Sequence, residues 1–126
     1  MPLALLIDDE PGIRFALRRW FERQGYTVAE AATGPEALEQ VAAITDDDEV
    51  AVILCDLHLP GLNGDAILAQ LQATRPTLAA RTILTTGDSV SDAAAASVLH
   101  THPYVLPKPF ELAGLRAIVE RVRQAR

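Results

Sequence analysis

Short apolar runs alternate along the chain with amphipathic segments. The first run, 3–7, precedes a segment with apolar residues at the i, i+3, i+4, i+7 and i+8 spacing of a helix, and Gln24-Gly25 ends that segment. The longest run, 50–55, has no polar face, so we predict a strand buried on both sides, as in a parallel sheet. Asp56 ends this run, and proline and glycine follow within a few residues.

The remaining segments continue the same alternation. We predict further strands at 26–30, 81–85 and 104–106, and further helices at 34–44, 64–74, 91–99 and 112–122. Thr33 and Glu36 have the spacing of a capping box at the start of the second helix, and Pro76 ends the third helix. Five strand–helix pairs in this order predict an α/β fold, with a doubly wound parallel sheet covered by helices on both faces.

The composition fits one domain over residues 1–126. An apolar content of 49% suffices for a real core. The net charge of −6 argues against a nucleic-acid-binding surface. No segment approaches the length of a membrane span, and the first apolar run is too short for a signal peptide. The single cysteine, Cys55, allows no internal disulfide, so we expect a reducing, cytoplasmic compartment and a buried, inert thiol.

Polar residues follow four of the five predicted strands. Asp8 and Asp9 follow the first strand, Asp56 ends the third, Thr86 follows the fourth and Lys108 follows the fifth. The carboxyl ends of parallel strands lie at one edge of a sheet, so we expect these side chains to converge. Adjacent carboxylates repel unless a cation offsets their charge, and carboxylates with water suit Mg²⁺. Lys108 adds a second positive charge.

A carboxylate placed against Mg²⁺, an amine and a hydroxyl is equipped for phosphoryl transfer. Asp56 can attack phosphorus to form an acyl phosphate, while Mg²⁺ and Lys108 offset charge on the phosphoryl oxygens. We therefore assign Asp56, Thr86 and Lys108 to the chemistry of the site.

Over essentially its full length, the sequence resembles the receiver domain of two-component response regulators. The resemblance rests on four motifs in order: Asp8-Asp9-Glu10, Asp56 within Asp-Leu-His-Leu-Pro-Gly-Leu-Asn-Gly, Thr86-Gly87, and Lys108-Pro109-Phe110. It implies a signalling module rather than an enzyme, with a flavodoxin-like three-layer fold and strand order 2-1-3-4-5. It also implies that Asp56 accepts a phosphoryl group from a sensor histidine kinase or a histidine phosphotransfer domain, and that phosphorylation shifts the conformation.

The resemblance further implies a ligand set and a switch. Asp9 and Asp56 would bind Mg²⁺ directly, Asp8 through water, and His58 through its backbone carbonyl. The Lys108–Pro109 bond would be cis, which only an X–Pro bond adopts cheaply. The family pairs the threonine with an aromatic residue three positions before the lysine. That position is Val105 here, and Tyr104, one place earlier, is predicted to face the other way. Switching through this strand would therefore use Val105, or a shifted Tyr104.

Two other functions share this architecture. A phosphohydrolase of the haloacid-dehalogenase type also uses a nucleophilic aspartate, but it requires Asp-x-Asp at the first strand. Here the third strand carries Asp56-Leu57-His58. Nucleotide or flavin binding would need a glycine-rich phosphate loop, which the sequence lacks. The cognate kinase, the oligomeric state, and the choice between a stand-alone receiver and part of a transcription factor or hybrid kinase stay open.

Several chemically suggestive residues have simpler structural interpretations. The acidic run 46–49 lacks the spacing of an EF-hand and predicts a solvated loop. His100 and His102 have no third ligand nearby and are predicted to be loop histidines. Trp20 and Phe21 are predicted to be core residues. Phe15 lies off the helix stripe, either as an isolated exposed aromatic or as a contact for the phosphodonor.

Overall fold

Five parallel strands form a single sheet in the computed structural model, which describes residues 2–87 and 100–125. Their order across the sheet is β2-β1-β3-β4-β5. The strands are β1 (Leu3–Ile7), β2 (Thr27–Ala31), β3 (Val50–Asp56), β4 (Thr82–Thr86) and β5 (Val105–Pro107). The predicted strand order is confirmed, and β2, β4 and β5 each begin one residue later than the sequence pattern indicated.

Helices cover both faces of this sheet. They are α1 (Pro11–Arg23), α2 (Gly34–Ala43), α3 (Gly64–Thr74), α4 (Pro76–Ala80) and α5 (Leu112–Gln124). The short helix α4 was not predicted; Pro76 begins it, and its buried Leu78 holds it against the core. The helix predicted at 91–99 lies outside the described residues. None of the helices in the described part of the chain has the length and apolar character needed to span a bilayer.

The core consists of two apolar layers separated by the sheet. One layer packs α1 and α5 against the sheet, and the other packs α2, α3 and α4 against the opposite face. All seven residues of β3 are buried, which confirms the prediction of a strand covered on both sides. The three-layer arrangement leaves the carboxyl ends of the strands as the open rim where polar side chains can meet.

The aromatic residues of α1 are divided between core and surface. Phe21 is fully buried, and its ring makes edge contacts with Trp20 and Tyr26 at centroid distances of 4.9 and 5.2 Å. Trp20 is half-buried against the same layer. Phe15 is 61% exposed, as its position off the helix stripe predicts.

The start of α2 is capped nearly as predicted. The hydroxyl of Thr33 accepts a hydrogen bond from the N–H of Glu36 at 3.2 Å. The carboxylate of Glu36 accepts from the N–H of Ala32 at 2.9 Å, one residue earlier than in a standard capping box. The turn before α2 is therefore tied to the helix on both sides.

The acidic run forms a 3₁₀ turn at Asp47–Glu49 and is not simply solvated. Arg75 hydrogen-bonds the carboxylate of Asp47 and also donates to the backbone carbonyls of Val41 and Ile44. The prediction of a solvated loop was wrong at Asp47, because the arginine that pairs with it lies 28 residues further along the chain.

Asp47→Asn is expected to weaken the dependence of stability on pH in acid. The hydrogen bond from Arg75 holds the pKa of Asp47 below its ordinary value, although partial burial opposes that shift. A carboxylate with a lowered folded-state pKa stabilises the fold above its unfolded pKa, about 3.9, and this contribution is lost as the pH falls through the folded-state pKa. Urea unfolding at a series of acidic pH values should show that the free energy of unfolding falls less steeply with decreasing pH in the variant than in the wild type.

Asp48→Asn is the matched control, because the Asp48 side chain is 88% exposed and lies 3.7 Å from Arg81. Its profile should follow that of the wild type. If the free energy of unfolding depended on pH equally in the wild type and in Asp47→Asn, the lowered pKa of Asp47 would be contradicted.

Candidate functional site

The polar residues predicted to converge lie at the carboxyl ends of β1, β3, β4 and β5. The ammonium of Lys108 donates hydrogen bonds to Oδ2 of Asp8 and to Oδ2 of Asp56, both at 2.9 Å. Thr86 ends β4, and its carbonyl accepts from the backbone N–H of Lys108 at 2.7 Å. Segments far apart in sequence therefore meet around one rim of the sheet, as the doubly wound topology requires.

Four carboxylates surround this point. Ligand atoms of Asp8, Asp9, Glu10 and Asp56 all lie within 4.8 Å of one another, with Asp8 and Asp56 buried and the other two exposed. Sequence reasoning did not assign Glu10 to the site; the available signal was its place directly after the two aspartates. A group of carboxylate oxygens at this spacing fits a hard divalent cation, which takes oxygen ligands.

The charge balance of the rim favours a further cation. The ammonium of Lys108 pairs with three of the four carboxylates, those of Asp8, Glu10 and Asp56, and its side chain is only 13% exposed. Burial lowers the pKa of Lys108, but the hydrogen bonds and charges of Asp8 and Asp56 outweigh burial, so the net pKa is raised. Lys108 therefore stays charged at neutral pH, and its stabilising contribution is lost only when the pH rises through that raised pKa.

The loop after β3 fixes the backbone of Asp56. The N–H of Leu57 donates to the carbonyl of Thr85, and the N–H of Gly64 donates to the carbonyl of Leu57, each at 2.8 Å. The N–H of His58 donates to Oδ1 of Asp56 at 3.2 Å. A Cβ atom on Gly64 would lie 2.4 Å from the carbonyl oxygen of Asp56, so only glycine lets α3 begin this close to the acidic site.

The sequence model of the response regulator receiver domain family matches residues 4–120. The chain belongs to this family. A receiver domain is a signalling module rather than a catalytic enzyme, and the predicted fold and function class are confirmed.

Among curated proteins, the receiver domain is similar to two longer regulators. It is 35% identical over 116 residues to the DNA-binding transcriptional regulator NtrC of Escherichia coli K12, covering 92% of this chain and 24% of NtrC. It is 37% identical over 123 residues to the response regulator MprA of Mycobacterium ulcerans, covering 94% of this chain and 50% of MprA. The chain thus spans about a quarter of one relative and half of the other.

Solved receiver structures share the fold. A receiver domain protein from Clostridium thermocellum superposes with a TM-score of 0.83 at 23% identity, covering 99% of this chain and 96% of that one. A CheY-like receiver protein from Methanospirillum hungatei JF-1 gives a TM-score of 0.79 at 21% identity, covering 100% of this chain and 99% of that one. At these identities the likeness concerns the fold alone.

The segment around β5 departs from the pattern that the family resemblance implied. The Lys108–Pro109 bond is cis, as predicted. Tyr104 packs with Leu106 in the α1–α5 layer, where the guanidinium of Arg121 lies 5.4 Å from its ring centroid. Val105 is half-buried and is not part of either apolar layer formed by the described residues. Tyr104 and Val105 therefore lie on opposite sides of this segment, as predicted.

The remaining chemically suggestive residues lie away from the rim or are inert. Cys55 is buried, and burial together with the charges of Asp56 and Asp8 raises the pKa of its thiol, so it stays protonated. A ring nitrogen of His102 lies 2.5 Å from the carbonyl oxygen of Thr82, which is a structural contact. Neither His100 nor His102 belongs to the acidic cluster found among the described residues.

Proposed function

We propose that Asp56 accepts a phosphoryl group from a phosphohistidine of a sensor histidine kinase or a histidine phosphotransfer domain, in a Mg²⁺-dependent reaction. The observation that carries the proposal is the position of Asp56. Its buried carboxylate ends the central strand, 2.9 Å from the Lys108 ammonium and within the acidic cluster. Membership of the receiver family supports the histidine donor and a cytoplasmic location.

In this proposal the acidic residues divide the binding of the cation. Asp9 and Asp56 hold Mg²⁺ directly, the buried Asp8 acts through water, and the backbone carbonyl of His58 is a further ligand. The donor set, all oxygen, suits this ion. When bound, Mg²⁺ supplies positive charge against the oxygens of the transferred phosphoryl group.

The chain's own residues then carry the transfer. A carboxylate oxygen of Asp56 attacks phosphorus, and the new O–P bond forms while the P–N bond to the donor imidazole breaks. The imidazole leaves with the bonding pair and takes up a proton. Lys108 exchanges its hydrogen bond to Asp56 for one to a phosphoryl oxygen, and the hydroxyl of Thr86 donates to another.

The same exchange links phosphorylation to conformation. Lys108 connects Asp56 to Asp8, and its backbone N–H pairs with Thr86, so a new charge on Asp56 acts on β1, β4 and the start of the β5–α5 loop together. With Val105 in place of the family's aromatic residue, we propose that the shift passes through the Lys108–Thr86 contact and Val105, and not through a tyrosine ring.

The phosphohydrolase alternative lacks an essential group. That chemistry needs a second aspartate two residues after the nucleophile as its acid and base, and His58 occupies this position. The loop carrying His58 is short, and Leu57 and Gly64 close it with a 2.8 Å hydrogen bond. No observation at the site favours hydrolysis of a free phosphate ester.

The proposal is tested by treating the protein with acetyl phosphate and Mg²⁺ and measuring its intact mass. The wild type should gain one phosphoryl group, Asp56→Asn should gain none, and chelation of Mg²⁺ should prevent the gain. Asp48→Asn, which removes a carboxylate outside the cluster, should behave as the wild type. Equal labelling of Asp56→Asn and the wild type, or steady turnover of a generic phosphate ester, would contradict the proposal.

A further inference from the structure

An arginine of α1 reaches back to the turn that carries the first two acids of the site. Nη1 of Arg14 donates to the backbone carbonyl of Asp8 at 2.6 Å, and its side chain is 19% exposed. That carbonyl belongs to the peptide group that joins Asp8 to Asp9. The guanidinium therefore fixes the plane of this peptide, and with it the direction in which Asp9 leaves the backbone.

Asp8 does not depend on this contact for its own position. Its N–H donates to the carbonyl of Ala31 at 3.1 Å, and its carboxylate accepts from the N–H of Glu10 at 2.8 Å and from Lys108 at 2.9 Å. Asp9 is exposed, and its carboxylate makes no hydrogen bond or ion pair to another residue in the described part of the chain. The backbone of Asp9 is thus held on its amino side by Arg14, through the carbonyl of Asp8, and on its carboxyl side by the bond from the N–H of Glu10 to the Asp8 carboxylate.

Arg14 is itself oriented by β2. Its Nε lies 3.3 Å from Oε1 of Glu30, and the other oxygen of Glu30 accepts from Arg18 at 2.5 Å. Glu30 is paired in register with Leu6 of β1, next to the carboxyl end of that strand. The guanidinium is planar and rigid, so the carboxylate that binds its Nε also fixes the direction of its other N–H groups. One of these groups can then donate to a carbonyl in a fixed position.

We infer that Arg14 is a positioning residue of the acidic site: it holds the Asp8–Asp9 peptide so that the Asp9 carboxylate faces the cation position, and Glu30 orients Arg14. This inference rests on the proposed Mg²⁺-dependent function. It concerns the affinity for the ion rather than the chemistry at Asp56. Residues that orient metal ligands typically contribute about 10–100-fold in affinity.

The test measures binding of Mg²⁺ alone by titration calorimetry, separately from phosphorylation. Arg14→Ala should lower the Mg²⁺ affinity about tenfold, and the Mg²⁺ concentration that half-saturates phosphorylation should rise by about the same factor. Glu30→Gln should give a smaller loss in affinity. Arg14→Lys retains one donor toward Asp8 and should be intermediate; it also serves as the test variant if Arg14→Ala does not fold.

Arg18→Ala is the matched control. It removes a partner of Glu30 from the same helix but touches no part of the Asp8–Asp9 turn, so its Mg²⁺ affinity should equal that of the wild type. The inference is overturned if Arg14→Ala binds Mg²⁺ as the wild type does, or if both variants lose affinity in proportion to their thermal stability. A wild type that neither binds Mg²⁺ nor accepts phosphoryl groups would overturn the proposed function as well.

Discussion

Replacing Lys108 with methionine is expected to lower the free energy of unfolding by about 3 kcal/mol in metal-free buffer, because removing one partner of a buried charged group leaves the other uncompensated. Methionine keeps an unbranched, flexible side chain but removes the charge together with the two hydrogen bonds that the ammonium donates. The carboxylates of Asp8 and Asp56, whose side chains are 5% and 7% exposed, would then face each other without the ammonium between them. Urea unfolding with a chelator present measures the loss.

Added Mg²⁺ should restore part of that stability, since it binds the native cluster and offsets the same charges. The rate of phosphorylation by acetyl phosphate should fall by about 100-fold, the usual effect of removing one electrostatic donor from a site of charge development. Lys108→Arg keeps the positive charge and should lose less stability. An unfolding curve for Lys108→Met that matches the wild type in chelator would refute this assignment of Lys108.

Phe21→Ala should destabilise the domain by about 3–5 kcal/mol, the range found for truncating a buried aromatic residue. Phe21 is fully buried between α1 and the sheet, and its ring contacts both Trp20 and Tyr26. Its removal leaves a cavity that these rings cannot fill without leaving their own contacts. Urea unfolding followed by far-ultraviolet circular dichroism gives the free energy directly.

Phe15→Ala provides an internal control on the same helix. Phe15 is 61% exposed, and its ring contacts the guanidinium of Arg19 at 5.6 Å. This substitution should change the free energy of unfolding by about 0.5 kcal/mol or less, as is usual for surface sites. Similar losses for the two variants would mean that the core is not organised around Phe21.

The sequence predicted those features of the fold that depend on the local spacing of polar and apolar residues. The unbroken apolar run of β3 indicated burial on both faces, and Asp56 at its end indicated the rim of the sheet. The spacing of Thr33 and Glu36 predicted the start of α2. Parallel topology then implied that acids and a lysine from separate strands would meet, and the 2.9 Å contacts of Lys108 with Asp8 and Asp56 follow from that topology.

Side-chain contacts between distant segments were not predictable in this way. Arg14 and Glu30 lie 16 residues apart, and Arg75 lies 34 residues from Val41, whose carbonyl it caps. Such pairs cannot be recognised from the spacing of polar and apolar residues. A charged residue on the surface of a helix occupies the same kind of position whether it is solvated or paired with a distant residue. The short helix α4 was missed for a related reason: Pro76 can end one helix and also begin the next.

The central claim is that Asp56, among the four clustered carboxylates, takes the phosphoryl group. Its most direct test is to phosphorylate the protein with acetyl phosphate and Mg²⁺, reduce the product with borohydride, and locate the resulting homoserine by peptide mass spectrometry. We predict homoserine at position 56 alone. Homoserine at position 8 or 9, 5-hydroxynorvaline (the product from a glutamyl phosphate) at position 10, or phosphorylated protein with no reduced residue, would contradict the account.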